Sequence, residues 1–468
     1  MSQGLRWFFS DQRNACSGQG VKGGESDANM HPPLAPDIIH RRHAQSTILA
    51  LPDANILAHT SRSLQIGRAL RELGYDVQFA SDGKYMSLIR QAGFLCHPHL
   101  TLDPERLLEI CRKGRTNFFT PDFLARCVEA DCELFARVKP DLVLSDFRFS
   151  VSTSAEIMQI PHAVTLNALW TNYFSARLSA PENTVYEKFF GKALVSRFPS
   201  WLVKVLKELT LRYDVQSHNQ VRRHYGLAAR RNLFDLVAGD LNLIADLPAF
   251  APTEKLPPHF SYVGPILWQP EIPLPDCFEQ IDEAKPTIYV SMGSSGDPGI
   301  FQALADAFAD TEYQCLVTTA GLTEIANPPA NFLTTAFAPG ETLMSKCDLV
   351  VCQGGNGTVY QALRAGIPIL GYPTMHDQHF NMDLVERLKM GRRLSLSPFN
   401  ARDLKVAVKD MLARSQEYTR QAKILANAFF HYPGETLAAK AIDDFLYPGW
   451  SQLTAPEIPL ANVARQRR

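Results

Sequence analysis

The sequence predicts an α/β protein built from two doubly wound parallel-sheet domains that face each other across a cleft. Three observations carry this reading: short apolar runs alternate with helical stretches, the rhythm restarts in the second half, and a proline-rich stretch separates the two series. At 468 residues the chain exceeds what one ordinary core organises, which implies two domains of about 200 residues each. Strands that read as continuous short apolar runs are buried on both faces, as in a parallel sheet covered by helices.

The first domain, over 46–250, opens with Ser46–Leu51, followed by a polar loop and a helix from Ser61 to Leu73 that Gly74 closes as a C-cap. Tyr75–Ala80 is the next strand, a helix runs on to about Ala92, and Asp141–Ser145 and His162–Leu166 are further buried strands. A connector over 251–286, with prolines from Pro248 onward, leads to a second domain over 287–448. There Thr287–Ser291, Gln314–Thr318, Phe332–Ala336, Leu349–Cys352 and Ile367–Tyr372 are the strand candidates. Residues 1–45, rich in Gly, Ser, Asp and Pro, are expected to be a disordered extension with Met30 as an alternative start, and 449–468 a flexible tail.

Lys plus Arg number 47 against 48 Asp plus Glu, a net charge of −1, so no overall field favours nucleic acid or an anionic membrane. The nine cysteines (Cys16, Cys96, Cys111, Cys127, Cys132, Cys277, Cys315, Cys347, Cys352) contain no CxxC pair. They fit neither a disulfide framework nor a zinc site and are expected as reduced, buried thiols of a cytoplasmic protein. The apolar run Trp7–Phe9 ends too soon, at Asp11 and Arg13, for a secretory leader. No stretch has the length of a membrane-spanning helix.

The richest segment comes after the strand Leu349–Cys352. Gln353-Gly354-Gly355-Asn356-Gly357-Thr358 leads into a helix over Val359–Ala365. Three glycines in four positions allow a tight turn and close approach of backbone to a ligand. The helix N-terminus behind them offers free N–H groups and the positive end of its dipole, which suits a phosphate. Glycines alone would equally serve a plain strand-to-helix turn.

The whole segment Gln353–Gln378 resembles the donor-binding signature of the family 1, nucleotide-sugar-dependent glycosyltransferases, the UDP-glycosyltransferase and macrolide glycosyltransferase type. That pattern reads H-G-G-x-G-T-x-x-E-A-L, then G-x-P, then an Asp-Gln pair, and it aligns here without a gap. Thr287–Ser294 resembles the strand and Gly-Ser loop that open the family's donor domain, Phe337–Gly340 its aromatic-x-Pro-Gln element, and Tyr262–Pro265 its linker. The resemblance implies the GT-B fold, two Rossmann-like domains of which the first binds acceptor and the second nucleotide sugar. It implies that Phe337 stacks on a pyrimidine base and that Ser294, Gly354, Gly355, Asn356, Gly357 and Thr358 hold the diphosphate. Asp377 and Gln378 would bond the sugar hydroxyls. Gln353 stands where the family has a phosphate-contacting His, and Gln361 where it has a ribose-binding Glu. Each amide keeps hydrogen-bonding capacity and loses charge. The implied co-substrate is a UDP- or dTDP-hexose. No Asp-x-Asp signature ends a strand in this half, and a helix N-terminus can stabilise the leaving diphosphate, so no metal or resident cofactor is expected.

Inverting transfer needs a base for the attacking hydroxyl. The family's G-H-x-x-P-x-L-x-L-A-x-x-L aligns with Ala58–Leu70, which makes His59, just before the helix, the implied base; Ala58 and Arg62 replace the Gly and Pro. Asp146, ending DLVLSD, matches the family's acidic partner and would orient the His59 ring. Alone, such an Asp would read as a helix N-cap.

Lys188–Arg212 interleaves Phe189, Phe190, Leu194, Phe198, Trp201, Leu202, Val205, Leu206 and Leu209 with Lys188, Lys192, Arg197, Lys204, Lys207 and Arg212. This is a basic amphipathic helix or helix pair, consistent with peripheral membrane contact or with an ordinary helix bearing solvated lysines. The family covers its acceptor pocket with this part of the chain, which implies an apolar, hydroxyl-bearing small molecule or lipid. The leading expectation is an inverting hexosyltransferase. The alternative is a catalytically weak or inactive nucleotide-sugar or glycan-binding protein of the same fold, motivated by Gln353 and Gln361. An NAD-type dehydrogenase is disfavoured, because PDANILAH stands after the first strand in place of G-x-G-x-x-G.

Overall fold

The computed structural model describes residues 43, 45–103, 119–177, 179, 192–195, 197–294, 296–396 and 398–448. The expected extension, His43 and Gln45 apart, and the expected tail lie outside the described residues.

Seven strands form the first sheet: β1 (Thr47–Pro52), β2 (Asp76–Ala80), β3 (Leu95–His97), β4 (Leu142–Asp146), β5 (His162–Leu166), β6 (Leu241–Ile244) and β7 (Phe260–Tyr262). Their order is β3-β2-β1-β4-β5-β6-β7 and the pairings are parallel. Six strands form the second sheet, also parallel: β8 (Thr287–Ser291), β9 (Gln314–Thr318), β10 (Phe332–Thr335), β11 (Leu349–Cys352), β12 (Ile369–Gly371) and β13 (Gly391–Arg393), in the order β10-β9-β8-β11-β12-β13. In both sheets the chain winds outward, then returns past its first strand. The order therefore reverses between β1 and β4, and between β8 and β11. Loops leaving the carboxyl ends of such strands diverge and open a crevice.

Five helices position the cleft and its walls: α1 (Leu57–Glu72), α2 (Ser200–Asp214), α3 (Asn356–Ala365), α4 (His376–Arg387) and α5 (Gly434–Leu446). The central strands are buried throughout, as their apolar runs require: Ile48, Leu49, Ala50 and Leu51 on β1, and Leu349, Val350, Val351 and Cys352 on β11.

Three departures from the sequence reading bear on how the cleft is built. Helix α1 begins at Leu57, not Ser61, because Asp53 closes the loop at once: its Oδ1 accepts the Asn55 N–H at 3.1 Å and its carbonyl accepts from Ile56 at 3.2 Å. His59 therefore lies in the first turn of α1 rather than before it. Second, β7 falls inside the stretch 251–286 read as a connector. Third, α5, read as part of the second domain, buries Ala438, Ala439 and Ile442 in a core shared with Ile48, Leu64 and Leu243 of the first half.

The chain thus passes between the halves twice, and the two passages touch. Gly264, at φ 97°, has no room for a Cβ, which would come within 2.4 Å of Tyr432. Gly434 is as tight, with a Cβ 2.5 Å from the Pro265 carbonyl.

Cys127, Cys315, Cys347 and Cys352 are buried free thiols, as expected, and Cys96 and Cys132 are free and partly buried. Cys16 and Cys111 lie outside the described residues, and so does the side chain of Cys277. Among the described residues no helix is long and apolar enough to cross a membrane.

Candidate active site

The crevices of the two sheets face each other and form one cavity of about 340 Å³, lined from both halves of the chain. His59 and Arg62 of α1, Phe147 after β4, and Asn167 and Trp170 after β5 line one side. Ser294, Phe337, Gln353 and the first residues of α3 and α4 line the other.

On the first side His59 Nδ1 lies 2.6 Å from Asp146 Oδ1. Asp146 is fully buried at the last position of β4, and its carboxylate also receives Arg62 Nε on Oδ2 at 3.0 Å and Arg62 Nη2 on Oδ1 at 2.7 Å. A carboxylate only accepts, so in the neutral ring the Asp146 contact puts the proton on Nδ1 and the lone pair on Nε2; Arg62 Nη2 lies 3.0 Å from the same Nδ1. The His59 ring stacks on Phe147 at 4.8 Å between centroids and 5° between planes. Phe147 holds φ at 56°, a left-handed conformation that a bulky residue rarely adopts. That turn is what places its ring under the imidazole.

On the second side, Gly354 at φ 86° reverses the chain after β11 and lies beneath the cavity wall. A Cβ there would come 2.8 Å from Met382. Gly354 thus shapes the loop, while Gly355, Asn356, Gly357 and Thr358 line the cavity at the N-terminus of α3. Ser294 lines it from the loop after β8, and Phe337, 49% exposed, from the loop after β10. Gln353 is buried with its amide nitrogen wedged against Gly293 and Gly355, where a Cβ would come within 2.2 and 2.7 Å; its Oε1 has no partner among the described residues. Gln361 Nε2 donates to the Trp268 carbonyl at 3.0 Å, so its Oε1 is the group available for accepting.

Asp377, the second residue of α4, lines the cavity; burial raises its carboxyl pKa, and hydrogen bonds from the backbone N–H groups of Asp377 and Gln378 oppose that shift. Gln378 also lines the cavity. Its Oε1 is taken by the N–H groups of Thr374 at 2.9 Å and Met375 at 3.2 Å, which leaves the amide N–H₂ to donate. His376, at the start of α4, lines the cavity, with its pKa lowered to about 4 by burial and then by Lys207.

Between the two sides the wall is apolar, with Leu169, Trp170, Phe174, Leu267, Trp268 and Phe380. Residues 188–191 and 196 of the amphipathic segment lie outside the described residues. In α2 the lysines are not all solvated: Lys207 Nζ donates to the Leu169 carbonyl at 3.3 Å and sits 4.9 Å from the Phe234 ring centroid and 5.5 Å from that of Phe380. Burial lowers its pKa to about 7. Trp201, Val205, Leu209 and Tyr213 of the same helix point outward and are exposed.

Sequence reasoning missed Arg62, Phe147, Asn167, Trp170, Asp246, Tyr360 and His376. For Arg62 the signal was present, as the substitution of the expected Pro. The others gave none, because their partners lie far away in the chain. Among the described residues no group of three His, Cys, Asp or Glu side chains is placed to hold a metal ion.

Residues 302–443 match the sequence model of the family described as erythromycin biosynthesis protein CIII-like, C-terminal domain. Over 414 residues the chain is 33% identical to a PGL/p-HBAD biosynthesis glycosyltransferase of Mycobacterium tuberculosis, a match covering 88% of this chain and 94% of that protein. Over 408 residues it is also 33% identical to a PGL/p-HBAD biosynthesis rhamnosyltransferase of Mycobacterium bovis, covering 87% of this chain and 88% of the relative. Among solved structures, the glycosyltransferase of kitacinnamycin superposes with a TM-score of 0.63 at 17% identity, covering 85% of this chain and 98% of that one. At that identity the likeness establishes the fold alone.

Proposed function

From the family 1 glycosyltransferases of GT-B fold, to which this chain belongs, we propose an inverting hexosyltransferase in which His59 is the base and Asp146 its orienting partner. The observation that carries this reading is the 2.6 Å contact between His59 Nδ1 and the buried carboxylate, which leaves Nε2 to take a proton inside the cleft.

In this mechanism Nε2 removes the proton from an acceptor hydroxyl as its oxygen attacks the anomeric carbon. The bond from that carbon to the diphosphate breaks, and the nucleoside diphosphate leaves with the electron pair. The charge that develops on it faces the N-terminus of α3, where unpaired N–H groups and the helix dipole stabilise it. Gln353 adds a neutral donor. The His59–Asp146 imidazolium and carboxylate pair holds the proton until release.

The donor reading is a UDP- or dTDP-hexose with Phe337 on the base, Gln361 on the ribose, and Asp377 and the Gln378 amide on the sugar. One relative is named a rhamnosyltransferase, so a 6-deoxyhexose donor comes first in a screen. The apolar wall between the two sides supports an apolar acceptor that carries a hydroxyl.

The assembled His59–Asp146 pair favours an active enzyme over a binding protein. Nucleoside diphosphate release is measured with UDP- and dTDP-hexoses across apolar hydroxyl acceptors, for wild type and His59→Ala. The variant is expected to lose about 10²–10⁴-fold in kcat with donor binding retained. Wild-type turnover by His59→Ala overturns the base, and donor binding without transfer to any acceptor overturns the enzyme.

A further inference from the structure

A continuous buried line of polar contacts runs from the His59–Asp146 pair to the helix that faces the diphosphate. Asp146 is held by Arg62, whose Nη1 donates to Asn167 Oδ1 at 2.8 Å. Asn167 Nδ2 donates in turn to Asp246 Oδ1 at 2.9 Å. Tyr360 of α3 donates its hydroxyl to the same oxygen at 2.9 Å and accepts the Leu247 N–H at 3.1 Å. Arg62, Asp146, Asp246 and Tyr360 are all buried.

We propose that Arg62, Asn167, Asp246 and Tyr360 form a positioning relay that couples the orientation of the His59–Asp146 pair to the seating of α3. The proposal rests on the reading of His59 as base.

Three features give the line its stiffness. Its ionisable members alternate in charge, carboxylate, guanidinium, carboxylate: Arg62 pairs with Asp146 directly and reaches Asp246 through Asn167, and a buried charge with no such partner would be costly. Asn167 uses both ends of its amide, accepting from Arg62 and donating to Asp246, so a flip breaks two bonds at once. Asp246 is anchored besides by the Ala168 N–H on Oδ2 at 2.6 Å, which fixes the carboxylate plane.

Tyr360 is the link between the halves. It lies one turn into the helix whose first residue, Asn356, lines the diphosphate end of the cavity and approaches Asp246 Oδ1 at 3.5 Å. A displacement of α3 moves the Tyr360 hydroxyl, and through Asp246 and Asn167 it moves the guanidinium that holds the base's partner. Correct seating of donor against α3 thereby sets the base, with no residue of the relay other than Arg62, Asn167 and Asp246 needing to reach the acceptor side.

The test is a double-mutant cycle on kcat with saturating donor and acceptor. Tyr360→Phe keeps the ring that packs on Phe250 and Phe429 and removes only the hydroxyl. It is expected to lower kcat about tenfold, the scale of one lost hydrogen bond to a charged group, with the donor KM changed less than about threefold. Asn167→Ser, a second variant with the contact cut at another point, is expected to do the same. The double variant should fall no further than the worse single one. Melting temperature and calorimetric binding of UDP or dTDP confirm that each variant is folded. Unchanged kcat in Tyr360→Phe, or two losses that multiply, overturns the relay. An inactive His59→Ala beside a fully active Tyr360→Phe overturns the relay alone; a fully active His59→Ala overturns the base reading instead.

Discussion

Arg62 closes on both oxygens of Asp146, with Nε 3.0 Å from Oδ2 and Nη2 2.7 Å from Oδ1. The guanidinium fork matches the carboxylate plane, so one residue fixes the rotation of the other. It leaves Oδ1 shared between Arg62 and His59, and makes the pair a structural unit as well as part of the site.

Cutting that unit on one side strands a buried charge. Arg62→Met is expected to destabilise the protein by about 3 kcal/mol. Arg62→Met combined with Asp146→Leu is expected to recover part of that loss while staying inactive. Chemical denaturation of the single and double variants gives the comparison, and a single variant as stable as wild type would refute the claim.

Phe337 is half exposed beside Gly321 at the cavity wall, where the proposed donor base would stack. Phe337→Ala is expected to raise the donor KM about three- to tenfold, which corresponds to the ~0.5–1.5 kcal/mol of an aromatic pair, with kcat nearly unchanged. Steady-state kinetics with donor varied decides it.

Gly293 holds φ at 55° and abuts the Gln353 amide. In Gly293→Ala the Cβ forces that amide aside and strains the loop by about 1–2 kcal/mol. Weaker binding of UDP or dTDP by calorimetry and a lower melting temperature are expected together. A variant that binds as wild type would show that Gln353 takes no part.

Two buried histidines give the fold an acid limit. Burial lowers His162 to about 4 against the opposing charges of Asp240 and Asp131, and it lowers His218 to about 3, with the Arg222 charge acting in the same direction. An unfolded histidine titrates near its ordinary value, so between about pH 6.5 and 4 the unfolded chain binds more protons than the folded one. Their contribution to stability is therefore full above about 6.5 and declines as pH falls toward 4, by roughly 2–3 kcal/mol per histidine at pH 4.5. Melting curves from about pH 7.5 to 4.5 should show this decline, and His218→Gln should make it shallower. Parallel curves would refute the assignment.

How far the sequence carries depends on the range of the interaction. The strands β5, β8, β9 and β11 are read to the residue, because a strand buried on both faces writes itself as an uninterrupted apolar run. Strands β3, β6, β7 and β13 are not, since each is short and carries a polar residue (His97, Asn242, Ser261 and Arg392) that breaks the apolar run. Gly355, Gly357, Thr358 and Asp377 of the second side are legible because the run Gln353–Gln378 matches the family signature without a gap. Arg62 announces itself only as a mismatch, for its partner lies 84 residues away. The Asp246–Tyr360 contact spans 114 residues and leaves no trace in either local pattern.

The two passages between the halves meet where Gly264 packs on Tyr432 and Gly434 on Pro265. A methyl group at either glycine would have to push the two crossings apart, so these two positions set how closely the halves approach, although neither glycine itself lines the cavity.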